Sequence, residues 1–595
     1  MWVQGIGSKV QGLQLPRSST TGLGCLKNIY GHKRSGICSR SEGSQMATRA
    51  VLEELKWDNK FIEECPADPE QQNSLRQVHN ALFSFVHPTP PASEPYLIDF
   101  STQMAEELGL DPSECERPEF ALVMSGAAPM PGSKPYAQCY GGHQFGMWAG
   151  QLGDGRAISL GEVVGKNGQR WELQLKGAGK TPYSRRADGR AVLRSSIREY
   201  VASEAMAALG VPTTRALSIV GTGEKVLRDM FYTGNARFEP GAVVCRVAPS
   251  FVRFGTFQLP AQRGEGQEAL VKVVADYVLR NHMPHLLQPP EGSGSDVSAS
   301  NGPWNPYTAL LREVCCSTGR LVAAWQSVGF THGVLNTDNM SIHGLTIDYG
   351  PFGFMDRFDP YMTPNLTDLE GGKRYAFRNQ PEIGQVNLVM LANALLSGEL
   401  MSKEEAEQQL LLYSQVLVED YTDRMRAKLG LRTYDAKLST ELMVLMYEDD
   451  ADFTNTFRAL GSIPAAGSSD AAQAPQKLPQ RLAEAIGAPE LTEEREAAWL
   501  QWLGAYQARL REEGVPDEVR MAKQNAANPK YIPRQHLLQY AIDDAENGDF
   551  SELARLMEVV TRPYDELPSA DPKYSKPPPP EMLRRPGVQM LSCSS

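Results

Sequence analysis

The chain has 595 residues, 41% of them apolar, and a formal net charge of −12. A single core does not grow to that length, so two or three domains are expected, and no strongly basic stretch invites a nucleic-acid partner. No apolar run reaches the length of a bilayer span, and the nine cysteines show neither C-x-x-C nor ligand spacing, which excludes a zinc ribbon or a disulfide framework as the organising device.

Residues 1–45 carry Lys9, Arg17, Lys27, Lys33, Arg34 and Arg40, many Ser, Thr and Gly, and no acid before Glu42. That composition predicts an organelle transit peptide, and with it a mitochondrial or, alternatively, a chloroplast location. The plainer alternative is a tail ahead of a start at Met46. Residues 46–135 mix short helical patterns, such as 100–108 before Gly109, with Pro-rich turns, and read as a wrapping extension without chemistry of its own.

The next segment, YGGHQFGMWAGQLGDGRAISLGEVV, places Gly146, Gly150, Gly153 and Gly155 ahead of a strand over 157–164. An Asn167-Gly168 hairpin turn joins it to a second strand over 170–176. Glycines at such a place let backbone N–H groups approach phosphates, and Arg156 adds a charge. In the second strand Trp171, Leu173 and Leu175 alternate with Glu172, Gln174 and Lys176, which predicts one apolar face with Lys176 on the other. Residues 195–209 predict a helix with Ile197, Val201, Ala205 and Leu209 on one stripe, Glu199 in the first turn, and Gly210 and Pro212 as the stop. A Gly-rich loop, a strand ending in Lys and a helix bearing Glu follow the order of a kinase N-lobe, where the Lys holds phosphates and the Glu holds the Lys. The rival reading of Glu199, a capping box with Ser196, weakens once Lys176 and the Asn-Asp pair downstream are counted. QLKGAGKT resembles a P-loop but has Gln174 where its first Gly belongs. Asp188-Gly189-Arg190 is a polar turn that faces either solvent or ligand. Arg246, on a strand over 242–248, and Arg253 after it are phosphate-clamp candidates by residue type, although spacing alone favours surface charges on an edge strand.

After a Pro/Gly/Ser-rich insertion and a helical pattern over 307–328 comes THGVLNTDNMSIHGLTIDYGPFGFMD, residues 331–356. From His332 it reads His-Gly-x-x-x-x-x-Asn, with Asp348 nine residues beyond Asn339. Two oxygen ligands on a loop and the stretch after it suit a divalent cation bound to nucleotide phosphates. In kinases the second residue after this His is the base; here it is Val334, while an acid, Asp338, sits beside the Asn. His332 and His343 read as backbone braces, not metal ligands. The segment after Asp356 takes the place of an activation segment, helical patterns resume to about 460, and a linker over 461–479 precedes further amphipathic helices.

These blocks resemble the selenoprotein O (SelO/YdiU) family, densely over 136–381 and more thinly to the C-terminus. The resemblance implies an α+β, bilobal protein-kinase-like fold: an extension over 46–135, an N-lobe over 136–285, a flexible insertion over 286–306, a C-lobe over 307–460, and a C-terminal helical section and tail over 480–595. It implies protein adenylylation, the transfer of AMP from ATP to Ser, Thr or Tyr hydroxyls of protein substrates, in redox or stress homeostasis. Gly153, Gly155, Arg156, Lys176, Asp188, Gly189, Arg246, Arg253 and Asp348 would bind ATP, with Glu199 as the partner of Lys176. Asn339 and Asp348 would hold Mg2+ or Mn2+, and Asp338 would be the catalytic proton acceptor. Animal members end in selenocysteine and two serines; here Cys593 stands in that place, a redox thiol open to redox partners, but Met590 replaces the Cys that would pair with it. The alternatives are a conventional ATP-dependent phosphotransferase and a non-catalytic nucleotide-binding pseudokinase.

Overall fold

A computed structural model describes residues 50–264, 266–290, 304–465, 475–487 and 491–592. The expected leader over 1–45, most of the insertion, half of the linker and Cys593 lie outside these residues. The strands, in chain order, are β1 (Phe83–Phe85), β2 (Tyr96–Phe100), β3 (Tyr136–Gln138), β4 (Gly141–Gln144), β5 (Met147–Gln151), β6 (Ala157–Val164), β7 (Arg170–Lys176), β8 (Arg215–Arg228), β9 (Arg237–Ala248), β10 (Phe330–Thr331) and β11 (Gly353–Phe354). Seven of them form one sheet in the order β1-β3-β6-β7-β9-β8-β2, antiparallel at every pairing. β6 and β7 run over the residues their alternation predicts, and Gly168 at φ +73° makes the turn between them. The strand expected over 242–248 is the second half of β9.

The alternation on β7 has a different meaning from the one expected. Leu173 and Leu175 do enter an apolar cluster with Leu52, Met104, Phe120 and Met130 of the preceding segment. The opposite face is not open to water, for Glu172 and Gln174 are buried too. Polar residues survive there because each finds a partner. Glu172 accepts from Tyr136 OH at 2.8 Å, Ser159 Oγ at 2.6 Å and Phe251 N at 2.8 Å.

The helices that concern the site are α1 (Leu193–Ala208), α2 (Phe254–Arg263), α3 (Pro306–Val328), α4 (Gln380–Ser397), α5 (Lys403–Lys428), α6 (Phe453–Leu460) and α7 (Gln535–Glu546). α1 buries the stripe Ile197, Val201 and Ala205 and ends before Gly210 at φ +74°. It begins at Leu193, two residues earlier than expected, with no side-chain cap, so Glu199 lies in its second turn and the Ser196 capping box is not used. The Asn305 side chain caps α3 by accepting from Tyr307 N and Thr308 N. Gly329, at φ +71°, turns the chain out of α3 into β10, which pairs with β11. That short ladder closes the loop that holds residues 332–352. α5 packs along α3, and α7 rests on α1. Near the end of the described chain Leu591 pairs with the segment after β11: its N–H donates to Pro364 O and its carbonyl accepts from Leu366 N, both at 2.8 Å. The chain is thus of mixed α+β class. No helix among the described residues is long and apolar enough to cross a membrane.

Candidate active site

β7 delivers Lys176 and α1 delivers Glu199, and the two meet with Nζ 2.6 Å from Oε2. Arg246 stands on β9 in register with Gln174. Its guanidinium donates to Gln174 Oε1 and Asp348 Oδ1 and lies 3.3 Å from Glu199 Oε1. Arg253, just before α2, donates to Asp348 Oδ2 and, at 2.8 Å, to the Asp338 carbonyl, and it stacks over Tyr140 at 4.7 Å. Lys176 Nζ is 3.9 Å from Asp348 Oδ1. Three cations therefore converge on one carboxylate, with Glu199 as second counter-charge. Both arginines are 1% exposed, which overturns the surface reading that spacing favoured.

The electrostatics follow from that crowding. Burial alone would raise Asp348, but Arg253, Arg246 and Lys176 together hold it well below the usual carboxylate range. Lys176 is lowered, first by burial and then by Arg246, against the pull of Glu199 and Asp348. Asp348 sits at φ +61°, a left-handed conformation that a non-glycine residue adopts only when its surroundings dictate it. Here the two arginines supply that constraint.

The Gly-rich segment is a hairpin rather than a turn cluster leading straight into β6. Gly146, at φ +83°, forms the tip between β4 and β5, Gly150 lies within β5, and only Gly153 and Gly155 directly precede β6. The hairpin docks on the turn Thr337–Asn339. His143 N donates to Thr337 Oγ1 at 2.7 Å, Gln144 Nε2 to Asp338 Oδ2 at 3.1 Å, and Phe145 N to Tyr375 OH at 2.8 Å, while that hydroxyl donates to Asn336 Oδ1. Gly142 permits the approach, since a Cβ there would stand 2.5 Å from Asp338 Oδ1. That oxygen is buried and has no hydrogen-bond partner among the described residues. Burial lifts the Asp338 carboxyl to about 6, against the Gln144 hydrogen bond.

Asn339 donates to the Val334 carbonyl at 2.9 Å, and His332 Nε2 donates to Ile347 O at 2.9 Å, bracing the two arms of the loop. His343 packs its ring on His282 instead. Gly153, at φ +82°, lies so close to the Tyr183 ring that a Cβ would reach it at 2.5 Å. Arg156 lines a small crevice with Lys176, Glu199, Ser195 and Tyr349. Asp188 is not brought to the Lys176 cluster by any contact: it pairs with Arg228 at 2.7 Å and lines an open groove with Arg190 and Glu224, Gly189 beside it. The sequence reading missed Asp154 and undervalued Gln174. Asp154, buried and lifted by that burial to about 6, accepts from Gln138 N at 3.0 Å, Tyr140 OH at 3.2 Å and Gln174 Nε2 at 3.2 Å, 3.6 Å from Arg253. Its position inside GQLGDGRA was the only signal.

Residues 69–561 match the family model for protein adenylyltransferase SelO. The chain is 48% identical over 551 residues to the protein nucleotidyltransferase YdiU of Aromatoleum aromaticum, covering 91% of this chain and 100% of that protein. It is 49% identical over 544 residues to the YdiU protein of an Azoarcus species and 47% over 552 residues to that of Rhodopirellula baltica, in each case covering 91% of this chain and 99% of the relative. The chain is therefore an enzyme of the class that transfers nucleotidyl groups to proteins. It belongs to the SelO family of protein adenylyltransferases. These relatives are bacterial, which overturns the expectation of a mitochondrial or chloroplast location and removes the support for an organelle leader.

Proposed function

We propose that Lys176, Arg246 and Arg253 hold the triphosphate of ATP between two kinase-like lobes, and that AMP passes from it to a Ser, Thr or Tyr hydroxyl lodged at Asp338. The observation that carries this is the convergence of three buried cations on one carboxylate, Asp348, backed by Glu199 and Asp154: a set of N–H donors already gathered and oriented for phosphate oxygens. The order of Gly-rich hairpin, Lys strand, Glu helix, Asn loop and Asp348 supports the kinase-like reading.

The hydroxyl oxygen attacks the α-phosphorus, the bond from that phosphorus to the bridging oxygen breaks, and pyrophosphate leaves with the electron pair. Asp338 Oδ1, free of other partners, takes the hydroxyl proton. Val334 offers no such group, and its carbonyl is spent on Asn339. Lys176, Arg246 and Arg253 spread the charge that grows on the leaving group. The β4–β5 hairpin, pinned at Thr337, Asp338 and Tyr375, covers the reacting end and keeps water from competing with the hydroxyl.

Among the described residues no three His, Cys, Asp or Glu side chains gather into a metal cage. Mg2+ is commonly held by one or two protein oxygens together with phosphates, and the Asp348 carboxylate and the Asn339 side-chain oxygen are a donor set of that kind. Such a cation, when bound, would neutralise the α-phosphate and the pyrophosphate. Asp188 and Gly189, in their own groove, would meet the nucleotide away from the cations.

The test is incubation of the chain with Mg2+ or Mn2+ and ATP labelled at the α- or the γ-phosphate, beside an Asp348→Ala variant. Label retained on protein from α-labelled ATP alone, and lost in the variant, supports the reading. Label from γ-labelled ATP alone makes the site a phosphotransferase and sinks it.

A further inference from the structure

Beside Glu199 on α1, Arg198 is 2% exposed and pairs with no carboxylate among the described residues. Its guanidinium donates to the side-chain oxygen of Gln535 and, at 3.2 Å, to the carbonyl of Phe352; it lies over the Phe352 ring at 4.7 Å, and its Nε finds no partner among the described residues. Burial, with Arg194 adding repulsion, lowers it to about 9. Gln535, the first residue of α7, donates its Nε2 to the same Phe352 carbonyl at 2.6 Å. The residue before it, Arg534, donates at 2.6 Å to Asp356 Oδ1 and at 3.0 and 2.8 Å to the two oxygens of Asp452. Two successive residues thus hold both ends of the stretch 352–356, and one of them also holds the neighbour of Glu199. Phe352 is four residues from Asp348.

A buried guanidinium served by neutral oxygens is a poor stabilising device, and an apolar side chain of similar length would fill the same space at lower desolvation cost. What Arg supplies is geometry: a planar fork that fixes two acceptors at once. We propose that Arg198, Gln535 and Arg534 are positioning residues for AMP transfer, setting the register between the helix that carries Glu199 and the loop that carries Asp348. The C-terminal helices are then the frame against which the two halves of the site are aligned. The inference rests on the reading of Lys176, Glu199 and Asp348 as the phosphate and cation site.

The test uses the full chain, α-labelled ATP, and transfer to casein and to the chain itself, with melting temperatures taken alongside. Arg198→Met is expected to lower the rate at saturating ATP by about tenfold or more while half-saturation by ATP stays within about threefold. Gln535→Glu separates positioning from stability. The new carboxylate pairs with Arg198, so the melting temperature holds or rises, but the N–H to Phe352 is lost and the rate falls by about tenfold. Arg458→Met is the control: Arg458 is also buried, against Asn525, Asn528 and Tyr564 carbonyls and Glu566, and does not touch the stretch 352–356. It should lower the melting temperature and leave the rate within about twofold of native. Native rates in both Arg198→Met and Gln535→Glu overturn the proposal, as does an equal loss in Arg458→Met. Asp348→Ala run alongside keeps the two readings apart: full activity there sinks the site assignment and this inference with it, whereas an inactive Asp348→Ala beside active Arg198 and Gln535 variants sinks the positioning role alone.

Discussion

Asp338 turns one oxygen to Gln144 and leaves the other bare, in a place where burial lifts its carboxyl to about 6. As the group that takes a proton, it must be ionised, so transfer should rise with pH and level off above about 6, falling roughly tenfold per unit below it. Stability runs the other way. Between the ordinary carboxylate value of 3.8 and about 6 the folded chain holds a proton that the unfolded chain has released, so stability falls as pH rises through that window, and the full penalty is present above it. Asp338→Asn should therefore abolish transfer yet stabilise the chain at pH 7.5 by about 1–3 kcal/mol, read from denaturant melts. Asp348 behaves oppositely. Asp348→Ala leaves Arg246 with only Glu199 and Arg253 with only Asp154 as counter-charge and should cost about 3–5 kcal/mol in EDTA. Added pyrophosphate should then raise the melting temperature of the variant by more degrees than that of the native chain. Lys176 and Glu199 were legible because a strand and a helix each declare their faces by period. Arg246 and Arg253 were not, because period says which side of a strand a residue takes and nothing about what covers it. Only the family resemblance lifted them out of the surface reading.

At the next scale the β6–β7 hairpin and α1 could be read from Asn167-Gly168 and from the Ile197, Val201, Ala205 stripe. The β4–β5 hairpin could not. Gly141, Gly142, Gly146 and Gly150 interrupt the alternation that marks a strand and look like a loop, whereas Gly141 and Gly142 are there for clearance and Gly146 and Gly150 for their positive φ. One of the ties that hold the hairpin to the loop runs through a phenol, Tyr375, which neither spacing nor composition singles out. Tyr375→Phe removes the nearer of the two acceptors of Phe145 N, leaving Asn336 Oδ1 at 3.4 Å, and removes the donor to Asn336. Amide exchange over 143–147 should speed up by roughly tenfold, consistent with a loss of about 1–2 kcal/mol. Water then reaches the reacting end, so more ATP is hydrolysed to free AMP for each AMP placed on protein.

On the scale of the whole chain, one apolar cluster runs from Phe61 to Tyr574 through the sheet, α1, α3, α4 and α7. A core shared this widely should come apart together, and calorimetry of the native chain should give one main transition, not one for each expected lobe. Arg534→Met should lower that transition by the equivalent of about 3–5 kcal/mol, since Asp356 and Asp452 lose their counter-charge. Such contacts join residues far apart in sequence, so no local pattern announces them. The pairing of Leu591 with residues 364–366 has a practical side. Asn365, between those two partners, holds the Gly333 carbonyl at 2.9 Å, and Ser592 is tied to Met230 O. A purification handle or fluorescent protein fused after residue 592 would tug on the loop that carries Asp338 and Asn339. Assays of this enzyme are better run on chains labelled elsewhere, such as at the exposed Lys437 on the helix over 436–448.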